Sequence, residues 1–148
     1  MFKRLMRTDN DVAAMVLRLA LGIVFYFHGM QKLTTMYGGY GFSGTLGFFT
    51  TKLGIPTFFA VLAILAEGLG WAGLILGFLT RIAALGITVN MIVAVYMIHW
   101  QNGIFMNWFG NQKGEGFEYH ILAIAIGVAL IIKGGGALSV DRVLGGKK

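Results

Sequence analysis

The sequence predicts an all-α integral membrane protein, a four-helix bundle forming one transmembrane domain over residues 1–148, with both termini on the inner side. Composition and charge placement predict it. Hydrophobic residues make up 57% of the 148-residue chain and charged residues 12%, against roughly 25% charged in soluble domains. Mean hydropathy is +0.75. A membrane-spanning helix consumes about 20 apolar residues, so 57% of the chain, roughly 84 residues, suffices for about four spans. A soluble globule and a disordered tail are excluded. The net charge of +6 does not indicate nucleic acid, because the basic residues flank apolar runs and form no stripe interleaved with aromatics. The chain has no cysteine, which excludes disulfides, Cys-ligated cofactors and a thiolate nucleophile. Redox chemistry would need a quinone, a haem or metal on histidine, or a partner subunit.

The first span is expected over about residues 12–33, around the uninterrupted run Leu19-Ala-Leu-Gly-Ile-Val-Phe-Tyr-Phe27. Lys3, Arg4 and Arg7 precede it as in a signal peptide. His28, Gln31, Lys32, Met36 and Tyr37 follow in place of a small-residue cleavage site, so it reads as a retained anchor. In the first outer loop, residues 34–56, Gly38-Gly-Tyr-Gly-Phe-Ser-Gly44 reads as a glycine–aromatic turn and residues 45–53 as a short interfacial helix. Pro56 suits the first turn of the second span, about residues 57–79, which is broken only by Glu67. Thr80-Arg81 reads as a tight antiparallel link to the third span, about residues 82–100. Trp100, Phe105, Trp108 and Phe109 then supply an interfacial aromatic belt. The fourth span, about residues 117–133, has a 16-residue apolar run that rises about 24 Å, short of the roughly 30 Å hydrocarbon layer. It must use Lys133 as a snorkelling anchor, thin the bilayer, or continue through Gly134-Gly135-Gly136.

Orientation follows from the Lys and Arg count. With both termini inside, Lys3, Arg4, Arg7, Arg81, Lys133, Arg142, Lys147 and Lys148 lie on that side, and Lys32, Lys52 and Lys113 on the other. Eight against three predicts N-in, C-in.

Arg18-Leu-Ala-Leu-Gly22 with His28-Gly-Met-Gln-Lys-Leu33, Glu67-Gly-Leu-Gly-Trp-Ala-Gly73 with Leu76-Gly-Phe-Leu-Thr-Arg81, and Gly116-Phe-Glu-Tyr119 with Gly134-Gly-Gly-Ala-Leu-Ser-Val-Asp-Arg142 occur in this order. Together they resemble the DoxX family of small four-helix bacterial membrane proteins, from about Arg18 to Leu144. The resemblance implies the fold and a multi-pass place in the bacterial cytoplasmic (inner) membrane. It also implies kinship with the DoxD subunit of thiosulfate:quinone oxidoreductase and with members proposed to assemble with oxidative-stress enzymes. It carries over no ligand set, so the cofactor stays unknown, with a quinone as candidate.

Ionisable groups at membrane depth are default functional candidates. Glu67 lies ten residues into its span, on a face shared with Ala60, Ala63, Gly70 and Leu74, which permits close helix approach. It is read as pointing into the bundle, either as a register-fixing carboxylate or as a functional one. Arg18 is its expected counter-charge, unless it snorkels to lipid phosphates. Arg18, Gly22, Gly29 and Lys32 share one inward stripe. His28, His99, Glu118 and His120 fall in the outer half. Their spacing singles out no metal, and Glu118 and His120 diverge on a helix. On the third span the small-residue pattern favours Asn90 inward, which leaves His99 for a partner or oligomer contact. Gly39-x-Gly41-x-x-Gly44 formally matches a dinucleotide fingerprint but follows no strand.

These residues support three functional classes. The first is a membrane subunit of a quinone-linked oxidoreductase or oxidative-stress complex, with an outward-facing polar pocket walled by His28, Lys32 and the aromatics Tyr26, Trp71 or Tyr96. The second is a non-enzymatic anchor or assembly scaffold for a soluble or membrane oxidoreductase partner. The third is a small oligomeric transporter using Glu67. The topology is directly testable: reporter fusions at Lys148 and within residues 38–44 should report opposite sides of the membrane. The same side for both would overturn it.

Overall fold

In a computed structural model the described residues, 2–145, are helices and loops without a strand. Lys147 and Lys148, counted toward the orientation, lie outside them. A short α1 (Phe2–Met6) precedes α2 (Val12–Leu33). The second long helix is α4 (Thr57–Gly68) continued by α5 (Gly70–Leu76), broken at Leu69; α3 (Gly41–Gly47) lies in the loop before it. The third is α6 (Thr80–Ala94), prolonged by a π-helical turn, Val95–His99, and a 3₁₀ turn, Trp100–Asn102. Among the described residues three helices are thus long and apolar enough to cross a membrane: Val12–Leu33, Thr57–Leu76 and Thr80–Asn102. The fourth, α7 (Glu118–Lys133), has 16 residues.

The four helices form a ring. α2 packs on α4 and α5, these on α6, α6 on α7, and α7 back on α2. Leu21, Phe25, Leu74, Ile87, Met91 and Leu130 fill its centre. Outward positions stay apolar and exposed, as at Phe58, Leu76, Ile82, Leu122 and Ile132. A soluble bundle would place charge there; this outer surface suits lipid. Gly29 lets α2 pack against the α4 backbone. A Cβ there would lie 2.5 Å from the Glu67 carbonyl oxygen and 2.8 Å from Trp71 Cδ1.

At the end of the bundle that carries the termini, the helix ends are tied by side chains from distant segments. The Arg18 guanidinium is 1% exposed. Its Nε donates to Gly135 O, Nη1 to Leu74 O and Ile75 O, and Nη2 to Ala137 O and Leu138 O. A guanidinium has five N–H donors, and here five carbonyls meet them. Arg81 ties this end as well, donating from Nε to Ile131 O and from Nη1 to Leu5 O and Arg7 O. Asp141, fully buried in α8 (Val140–Gly145), accepts from the N–H groups of Leu79 and Thr80 at 2.7 and 2.8 Å. It therefore caps α6 from 61 residues away. Asp11 caps α2 through the Ala14 N–H at 3.1 Å and pairs with Lys133. The Ala14 N–H and then the Lys133 ammonium hold its carboxyl below the ordinary aspartate range.

Three boundary expectations are corrected. Thr80-Arg81 is not the link but the start of α6; the turn is residues 77–79. Gly77 ends α5 at φ 64°, and Leu79 is held at φ 50° with its N–H on Asp141. The fourth helix does not continue through its glycines. Gly134, at φ 84°, stops it, and residues 134–137 fold into the buried end under Arg18 and Thr8. In the first loop α3 (Gly41–Gly47) begins four residues before the expected helix at residue 45 and runs into a π-helical turn, Phe48–Lys52.

Replacing Arg18 tests how much stability this knot holds. Arg18→Lys leaves three donors for five carbonyls, so at least two lose their partner, at about 1–3 kcal/mol each. Unfolding in mixed micelles should show a loss of roughly 2–6 kcal/mol. An unchanged midpoint would show that the carbonyls find other donors.

Candidate functional site

The opposite end, where the long loops meet the bundle, contains a buried ion pair. Glu67 is 5% exposed. Its Oε2 accepts from Lys32 Nζ at 2.6 Å, and its Oε1 from Asn90 Nδ2 at 3.2 Å. Asn90 Nδ2 also donates to Ala63 O at 2.7 Å. Helix spacing explains the meeting. Lys32 lies in the last turn of α2 and Glu67 in the last turn before the Leu69 break. Asn90 is a turn before the end of α6, on the side facing α4.

Lys32, Glu67 and Asn90 thus come together, and Arg18 does not join them. Its expected pairing with Glu67 is corrected, as is snorkelling. Arg18 lies 14 residues before Lys32 on α2, about 21 Å along the axis, and its donors are used by carbonyls at the other end. The shared stripe is real in direction, but the two cations occupy opposite ends of it.

The histidines lie around the first turn of α7, at the same end as the ion pair. His28 is exposed at the junction of α2 and α7, its ring 6.2 Å from that of Tyr119. His99, expected to face a partner, instead meets buried His120 with ring centroids 4.1 Å apart, and its Nδ1 is 2.8 Å from Glu115 O. The π-helical turn ending at His99 explains this. Its extra residue rotates the side chains beyond it relative to an α-helix, so Tyr96 faces out, 84% exposed, while His99 turns inward. Tyr96 therefore walls nothing. Glu118 accepts from the Met106 N–H and Glu115 from the Asn107 N–H, so both organise the second loop. Among the described residues no group of three or more His, Cys, Asp or Glu converges on a metal-sized position. Gly39, Gly41 and Gly44 lie in turns and the short α3.

Three features escape a reading of the sequence. Asp141 is the single acid after Glu118, which is the available sign of its capping role. Trp71 Nε1, Tyr119 OH and His120 Nδ1 are buried without a hydrogen-bond partner among the described residues, which periodicity does not show. The third is a lateral groove of about 980 Å³ between α4–α5 and α6. It runs from Ile55 and Phe59 to Leu76 and Ile82, and Asn90 is the one polar side chain lining it. This groove is apolar and faces sideways.

Removing one member of the pair should cost more than removing both. Glu67→Ala strands the Lys32 ammonium, whose side chain is 20% exposed, and is expected to cost about 3 kcal/mol. Glu67→Gln keeps the Asn90 contact and should cost less. The double replacement Glu67→Gln with Lys32→Met should be milder than the sum of its singles in a micellar unfolding cycle. Strict additivity would show that the two side chains are uncoupled.

The chain is similar in sequence to known proteins. The DoxX family model matches residues 13–100. The chain is similar to the putative oxidoreductase CatD of Bacillus subtilis, 28% identical over 97% of this chain and 96% of the relative. It is 31% identical to the inner membrane protein YqjF of Escherichia coli, over 96% and 99% respectively. It is also 29% identical to the uncharacterized membrane protein Rv3486 of Mycobacterium tuberculosis, over 95% and 86%. No solved structure matches.

Proposed function

The chain belongs to the DoxX family of membrane proteins, and from that premise we propose that it is the membrane subunit of a quinone-linked oxidoreductase. The observation that carries this reading is the contact between groove and ion pair. The groove presents one polar side chain, Asn90, and that side chain bonds directly to Glu67. An apolar cleft with a single convergent polar group suits a lipid-soluble ligand that enters sideways from the bilayer.

The residues fit a long-tailed quinone/quinol couple. Its tail would lie on the apolar groove wall and its ring beside Asn90. A quinone supplies two-electron, two-proton chemistry when bound. Lys32 and Glu67 hold a proton donor and a proton acceptor in one buried pair, one hydrogen bond behind the groove wall. Asn90 joins that pair to the ring position. The Trp71, Tyr119 and His120 polar atoms without partners add hydrogen-bonding capacity in the same half of the bundle. Electrons would come from a soluble or membrane partner protein, since the chain has no cysteine to ligate a redox centre. The oxidoreductase name of CatD supports that reading, and the inner-membrane name of YqjF supports the bacterial inner membrane.

On this reading the chain is one transmembrane domain crossing that membrane four times, with both termini cytoplasmic. α7 would be the short fourth span, in a locally thinned bilayer. The groove reading is tested by extracting the protein in native-lipid discs and measuring bound quinone by mass. Wild type should retain quinone, and Val89→Trp, which fills the groove from an exposed position, should retain at least about ten-fold less while still folding, a loss of roughly 1.4 kcal/mol in binding. Absence of quinone from wild type would leave the scaffold or transporter reading in its place.

A further inference from the structure

The Asn90 amide is oriented by its partners. Ala63 O and the Glu67 carboxylate are both acceptors, so the nitrogen must lie between them. The oxygen, Oδ1, is therefore the polar atom left over. Among the described residues no donor reaches it, and it is absent from the buried atoms without partners, so it retains access. Since Asn90 lines the groove, Oδ1 is the hydrogen-bonding group offered to an occupant. It can only accept.

This sets what an occupant must supply. Asn90 is level with Ala63, the seventh residue of the 20-residue helix Thr57–Leu76, about 10 Å from its loop end at ~1.5 Å per residue. The remaining roughly 20 Å toward Leu76 and Ile82 is apolar. The shape suits a small head near the loop end and a long apolar tail running toward the termini. A phosphate head has only acceptors where an acceptor already stands. A quinone ring has the same mismatch, two carbonyl oxygens and no donor. A hydroquinone ring carries O–H groups and matches.

We propose that Asn90 Oδ1 makes the groove selective for the reduced, hydroxyl-bearing form of a long-tailed quinone over its oxidised form. The proposal rests on the quinone reading above and adds the redox form that the site prefers. Asn90 is thereby a specificity-determining residue: its nitrogen orders Glu67 and its oxygen reads the ligand's donor. A preference for quinol places the bound state on the side of the reaction where the ring is fully reduced. The protein then serves either a step that consumes quinol or one from which quinol leaves slowly.

The test is equilibrium binding to purified protein in lipid discs under anaerobic conditions. Three probes share one decyl tail: a benzoquinol, its benzoquinone, and the quinol's di-O-methyl ether, which keeps the ring but has no donor. The quinol should bind about ten-fold tighter than either other probe, as one hydrogen bond to an otherwise unmatched acceptor allows. Asn90→Leu should reduce that ratio to near one while ether binding persists. Should the variant fold poorly, the three wild-type affinities decide the matter alone. Quinone binding equal to or tighter than quinol overturns the selectivity and leaves the quinone reading standing. Binding of none of the three overturns the quinone reading and the selectivity together.

Discussion

The fold depends on satisfying backbone carbonyls where no water can reach them. In a hydrocarbon environment every peptide group must find its partner within the protein. Helices meet that demand along their length and fail at their ends. Arg18 resolves the failure at one end of this bundle. Its guanidinium takes two carbonyls from the end of α5 and three from the loop after α7. Three chain segments therefore converge on one side chain. A buried cation with no carboxylate in direct contact is normally costly, but here five carbonyl dipoles meet it. Asp141 performs the opposite task on the donors at the start of α6.

The two ends of the bundle consequently differ in kind. At the terminal end the glycine turn, Thr8, Arg18, Arg81 and Asp141 tie the helix ends together through main-chain groups. At the loop end the helices are irregular: α4 breaks at Leu69 two residues after Glu67, and α6 ends in a π-helical turn. Polar atoms remain without partners there. Departures from local consistency are expected at functional sites, and here the helix break and the π-helical turn flank the Lys32–Glu67–Asn90 cluster. α2 also packs closely on the second long helix there, at Gly29, against the backbone of Glu67 itself. The carboxylate is thus held by main-chain packing as well as by its ion pair.

Access to the cluster comes from the side. The helix ring leaves a cleft between α4–α5 and α6, where Ala63, Ala66, Gly70, Gly73 and Gly86 offer no side chains long enough to fill it. Small residues that let helices approach elsewhere thus open a lipid-facing groove here. Asn90 is the point at which the apolar surface meets the buried charge.

Composition alone determined that the chain lives in lipid. Hydropathy determined where its long helices run, since a helix in a bilayer needs an unbroken apolar length and little else. That Glu67 is buried was legible too, because a carboxylate in mid-span has nowhere favourable to go but inward, and small neighbours marked the inward face. Its partner was not legible. Arg18 and Lys32 share a stripe on one helix, and periodicity gives direction around an axis but not which neighbour stands at which height. Only the packing of α2 on α4 and α5 decided that Lys32 meets Glu67 while Arg18 meets carbonyls. The same holds for His99, which a straight helix would turn away and a single π-helical turn swings onto His120. It holds for Asp141, whose capping role exists because segments 61 residues apart are brought together. Such contacts are long-range, and no local pattern encodes them.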